Sequence, residues 1–92
     1  MGTDMFDKPA DEGEMTTEEL EIAQWRIDVT DAGLKKIDEI YGEYWSDQTD
    51  KKRFGKIFKK AVTTGRLKRV ELFVENGREV LASDRQLQYV VG

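Results

Sequence analysis

The stretch DKKRFGKIFKKAVTTG, residues 50–65, decides how this chain folds. Its apolar residues Phe54, Ile57, Phe58, Ala61 and Val62 fall at i, i+3, i+4, i+7 and i+8, a spacing that places them on one side of an α-helix. Lys52, Arg53, Lys56, Lys59 and Lys60 then gather into one arc on the opposite side. Gly65 offers a left-handed C-terminal cap. The pattern therefore predicts a helix over about 50–64 with a buried apolar face and a basic stripe outside.

The charge around this helix is concentrated. Between Lys51 and Arg69 the chain has nine basic residues and no acid: Lys51, Lys52, Arg53, Lys56, Lys59, Lys60, Arg66, Lys68 and Arg69. The formal net charge of the 92 residues is -4, yet residues 1–24 hold eight acids against one lysine, and residues 25–92 are net positive by three. The molecule is dipolar. A dense positive block in a small domain is the footprint of a polyanion-binding surface, and a solvated helix face is the bland alternative.

Composition excludes much else. There is no cysteine and no histidine, which removes disulfides, thiolate or imidazole metal sites and histidine acid/base chemistry. No glycine-rich phosphate loop is present, and Asp28, Asp31, Asp38, Glu39 and Glu43 lack a spacing that demands a metal. Neither catalysis nor a cofactor is expected. The first residues are acidic where a signal peptide is basic and apolar, and no apolar run approaches the length of a membrane span, so a cytoplasmic protein without membrane contact is expected.

Toward the N-terminus, residues 1–14 mix acids with glycine, the single proline and few apolar groups, a composition that predicts a disordered acidic tail ahead of one domain over 15–92. Thr16 and Glu19 have the spacing of a capping box, with Met15 and Leu20 placed as a hydrophobic staple. Trp25, Ile27 and Val29 alternate with polar residues, so a short helix running into a strand is expected over 16–30, with a single strand over 20–29 as the competitor. From Asp31 to Trp45, Leu34, Ile37, Ile40, Tyr41, Tyr44 and Trp45 recur every three or four residues and predict a packed helix. The polar break at 46–49 is a tight inter-helical turn.

Toward the C-terminus the period drops to two. Val70, Leu72 and Val74 alternate with polar or aromatic neighbours, Asn76-Gly77 marks a turn, and Leu87, Tyr89 and Val91 share one side of a last strand. A three-residue loop of Glu75, Asn76 and Gly77 aligns the apolar residues of the two arms on one face, whereas a two-residue loop pairs Phe73 with Val80 and mixes the faces. The three-residue loop is the preferred reading. The whole is an α+β domain of two to three helices with a C-terminal antiparallel hairpin or meander.

Two helices joined by a short turn, the second closed by Gly65 and followed by Leu67, Val70 and a hairpin with Asn76, Gly77 and Arg78 at its tip, resemble a winged helix-turn-helix domain over about 31–91. Phe54, Phe58, Ala61 and Val62 stand in the recognition helix of that pattern, and Tyr89 on the returning strand. The resemblance implies binding of duplex DNA, with helix 50–64 in the major groove and the hairpin tip on the backbone.

The residues add their own argument. Lys51, Lys52 and Arg53 sit in the first helical turn, where the macrodipole is already positive and each cation costs some tenths of a kcal/mol. Such a cluster beside free backbone N–H groups suits a phosphate. Lys68 and Arg69 extend the surface, and Arg66 and Arg78 are the further candidates for base contact, the latter also placed for a surface ion pair with Glu75 or Glu79. The aromatic residues belong to the core, Phe73 excepted. The alternative is a protein-interaction or dimerisation module whose basic helix is merely solvated, and a homodimer is compatible with either reading.

Overall fold

The computed structural model describes residues 13–92. The expected tail therefore lies outside the described residues, apart from positions 13 and 14. Helix α1 (Thr17–Asp28) opens with the expected capping box: Thr16 Oγ1 accepts the Glu19 N–H at 3.1 Å, and Glu19 Oε1 accepts the Thr16 N–H at 2.9 Å. Met15, just ahead of the cap, is buried in the core.

Helix α1 runs through Trp25 and Ile27 without a strand, which overturns the alternation reading of 25–29. The reason is a second apolar stripe. Ala23 and Ile27 are fully buried and Leu20 packs against them, whereas Ile22, Trp25 and Val29 face outward, so the apparent period of two mixes residues from opposite sides of one helix.

The single helix expected over 31–45 is also replaced, by three pieces. Strand β1 (Gly33–Lys36) leads into a short helix α2 (Ile37–Tyr41) and a 3-10 helix (Gly42–Asp47). Lys36 donates its N–H to Glu39 Oε1 at 2.8 Å, which starts α2 afresh after the strand. Gly42 ends it at φ 59°, in a backbone region a side chain avoids, and a Cβ there would come within 3.3 Å of the Arg26 guanidinium. Of the apolar stripe, Ile37, Ile40 and Tyr41 are buried and Trp45 is half-buried, while Leu34 and Tyr44 are exposed.

Helix α3 (Lys51–Thr63) matches the reading of 50–64, with Gly65 just beyond it at φ 78°. All five of its apolar residues are buried. Phe58 sits edge-on to Tyr89, ring centroids 5.0 Å apart, and Tyr41 is edge-on to Phe54 at 5.1 Å, so one aromatic cluster joins α2, α3 and the sheet.

Strands β2 (Val70–Leu72) and β5 (Gln88–Val91) complete an antiparallel three-stranded sheet of order β1-β5-β2. Val70 faces Val91 and Leu72 faces Tyr89, and Leu87 packs on the same core. Between them, β3 (Val74–Glu75) and β4 (Arg78–Glu79) form a separate ribbon. Its turn has two residues, Asn76 and Gly77, both at positive φ, and Val80 donates its N–H to the Phe73 carbonyl at 3.3 Å. The preferred three-residue loop is thus incorrect. That reading assumed a face shared by both arms, but the chain changes partner at Phe73, whose N–H goes to Gln88 of β5, and the ribbon beyond it, with Val74 exposed, buries no common face.

The domain is α+β, with three α-helices and two small antiparallel sheets among the described residues. In sequence the elements run α1, β1, α2, α3, β2, the β3–β4 ribbon and β5, with β5 in the middle of the sheet.

Candidate nucleic-acid interface

The buried face of α3 fixes where its cations point. Asp50 caps the helix, its carboxylate accepting the Arg53 N–H at 3.0 Å, and Lys51, Lys52 and Lys56 emerge exposed from the first two turns. An open groove of about 590 Å³ runs beside this half of α3. Ile37, Trp45, Leu87 and Tyr89 give it an apolar part of its lining, and Lys51, Lys52, Lys56, Lys59 and Arg85 a charged part.

Lys52 and Lys56 also line a second depression with Asp50 and Arg53, so these two lysines form the ridge between two hollows. Gly55, which also lines the groove, is unusual for a helix interior, where glycine costs roughly 1 kcal/mol relative to alanine. A Cβ at this position would meet nothing within 4 Å, so no neighbour in the fold requires the glycine. What it provides is a shallow spot between lysines.

Arg85 is the functional candidate that sequence reasoning missed. It read as part of a polar break, yet its backbone has φ 69°, a conformation costly for a residue with a side chain, and its side chain reaches the groove wall. A polar network holds it there. Asp84 accepts from Lys36 Nζ at 2.8 Å and from the Gln86 N–H at 3.1 Å, and the Gln86 amide donates to Asp38 Oδ2 at 3.3 Å. The Lys36 contact holds the Asp84 carboxyl below the usual carboxylate range, and the same contact raises the Lys36 ammonium. Only a positive-φ rule for arginine, which does not exist, would have singled out Arg85 from sequence.

The other candidates divide by partner. Lys59 is ion-paired with Glu79 of the ribbon, Arg53 lies 3.7 Å from Glu19, and Glu14 bridges Lys60 and Arg66 at 3.6 and 3.7 Å. Arg69 is a structural clamp: its Nε donates to the Gly92 carbonyl at 2.7 Å and its Nη1 to the Asp28 carbonyl at 3.2 Å, where a cation complements the C-terminal end of α1. Lys68 is anchored through its backbone, whose N–H and carbonyl both bind the Gln24 amide. Arg78 is exposed on the ribbon, and neither Glu75 nor Glu79 pairs with it. Among the described residues, Lys51, Lys52, Lys56 and Arg85 have no acidic partner, and they share one groove.

The aromatic residues assigned to the core, and Phe73, which was excepted from it, divide too. Tyr41, Phe54, Phe58 and Tyr89 are buried, Trp45 and Phe73 are half-buried, and Trp25 and Tyr44 are exposed. No helix among the described residues is long and apolar enough to cross a membrane, and no group of three or more acidic side chains among them is arranged to hold a metal ion. No protein family, characterised protein or solved structure matches the chain.

Proposed function

We propose that this chain is a non-catalytic nucleic-acid-binding protein that engages duplex DNA through the exposed half of α3, with the β3–β4 ribbon lying alongside the backbone. The observation that carries the reading is that four cations without an acidic partner among the described residues, Lys51, Lys52, Lys56 and Arg85, line one groove, whereas Lys59, Lys60, Arg66 and Arg69 of the basic block are ion-paired. Gly55 supports it, since a close approach by a phosphate or sugar is a use for a glycine that the fold itself does not need.

The order of elements and the central place of β5 support the winged-helix-like reading, in which α3 enters the major groove and Arg78 reaches a neighbouring groove from the ribbon. Lysines meet phosphates as point charges and read no sequence, so affinity here is mainly electrostatic, with Arg53, Arg78 and Arg85 supplying the planar forks for base contact. An accessory or regulatory role fits such a module. A fluorescence anisotropy titration with random duplex at two salt concentrations tests the reading: binding that weakens steeply with salt is expected, and no binding at low salt overturns it.

A further inference from the structure

Helix α1 has an outer face that its own fold leaves uncovered. Ile22 and Trp25, with Val29 at the C-cap just past the helix, recur at i, i+3 and i+7 and are 45, 46 and 56 % exposed. Beside them Tyr44 is 42 % exposed and meets Trp25 edge-on, ring centroids 5.5 Å apart. The Arg26 guanidinium lies 5.0 Å from the Trp25 ring centre and 5.1 Å from that of Tyr44, and its Nε is fixed by the Ile40 carbonyl at 3.1 Å. Exposed tryptophan and tyrosine rings held rigidly against a half-buried arginine have the composition of an interface hot spot.

The flanking charges say what covers it. Ile22 and Val29 fall at the first apolar position of a heptad and Trp25 at the second, which places Glu21 and Arg26 on the two opposite edges of the stripe, five residues apart. When two such helices pack in parallel, an edge residue meets the partner's opposite-edge residue five positions further on. Glu21 then meets Arg26 of the other copy, and by symmetry the contact is made twice. Antiparallel packing would instead bring equivalent edges together and set Glu21 against acids.

The face is thus complementary to itself in one orientation, as a two-fold symmetric contact requires. The N-terminal end of the stripe is polar, with Glu18 in the preceding seam position, so the seam is short and centred on Ile22, Trp25 and Val29. We propose that a second copy of this chain packs its α1 in parallel on this face, forming a homodimer whose two-fold axis runs along the helix pair.

The test uses the full chain. Light scattering coupled to size exclusion, from low micromolar to near-millimolar protein, is expected to show a dimer that dissociates on dilution. Trp25→Glu should leave a folded monomer by circular dichroism, and Glu21→Arg should weaken the dimer about tenfold by setting like charges together. Because the chain contains no cysteine, Val29→Cys reports orientation: parallel packing juxtaposes the two equivalent positions and gives a disulfide-linked dimer on mild oxidation far faster than Ser83→Cys on the distant loop. A wild type that stays monomeric throughout, or a dimer that neither substitution weakens, or equal cross-linking at both cysteine positions, overturns the proposal.

Discussion

Lys59 of α3 and Glu79 of β4 are ion-paired, and this contact ties the basic helix to the ribbon that follows it. Both side chains are partly exposed, so the pair contributes at most about 1 kcal/mol to stability. Its larger effect is on charge, since it neutralises one wall of the groove. Glu79→Gln should leave the melting temperature nearly unchanged while tightening low-salt duplex binding and steepening the log-log salt dependence by up to about 0.9, the increment for one additional phosphate contact. An unaltered slope would show that Lys59 does not face the nucleic acid.

Two core aromatics should respond in opposite ways. Phe58 is fully buried against Tyr41 and Tyr89, and Phe58→Ala should cost about 3 to 5 kcal/mol, most of the stability of a domain this size. The Tyr41 hydroxyl is buried with no hydrogen-bond partner among the described residues, and burial raises its pKa well above the ordinary tyrosine value. Tyr41→Phe removes an unsatisfied polar group and keeps the ring packing, so it should be neutral or stabilise by about 1 kcal/mol. Denaturant unfolding of the two variants measures the contrast, and a strongly destabilised Tyr41→Phe would reveal a partner for the hydroxyl.

The loop that carries Arg85 should loosen in acid. Asp84 has its pKa depressed by Lys36, so the contact contributes above the unfolded carboxylate pKa and is lost as pH falls through the lower folded value. Lys36, with its pKa raised, acts in the other direction and loses its contribution only as pH rises through that value in the alkaline range. Amide exchange at Gln86, whose N–H is held by Asp84, should therefore gain an acid-dependent opening that Asp84→Asn abolishes by being open at all pH values. Protection of Gln86 that is independent of both pH and this substitution would contradict the network.

Helix α3 was legible in the sequence because one strong period, a C-terminal glycine and segregated charge all agreed, and the last strand was legible from the strict alternation of Leu87, Tyr89 and Val91. The misreadings share a cause. Ile22, Trp25, Ile27 and Val29 belong to two faces of one helix, and Leu34 belongs to a strand whose partner Val90 lies far along the chain, so a local period could not separate them. Likewise, the exchange of partners at Phe73 depends on β5, which no hairpin rule contains. At the site, the basic block was visible, but which cations are free depended on acids distant in sequence, Glu79 opposite Lys59 and Glu14 opposite Lys60 and Arg66.

In the proposed complex Lys51, Lys52 and Lys56 meet phosphate. The salt dependence of duplex affinity, measured for the wild type and for a variant with all three replaced by glutamine, reads this contact. These side chains are exposed and make no ion pair among the described residues, so the variant should melt within about 0.5 kcal/mol of the wild type. Its log-log slope should be shallower by about 2.5 to 3, the loss expected for three phosphate contacts. An identical slope in wild type and variant would show that these lysines do not contact phosphate, and a wild type that does not bind duplex at low salt would show that the helix is no nucleic-acid surface.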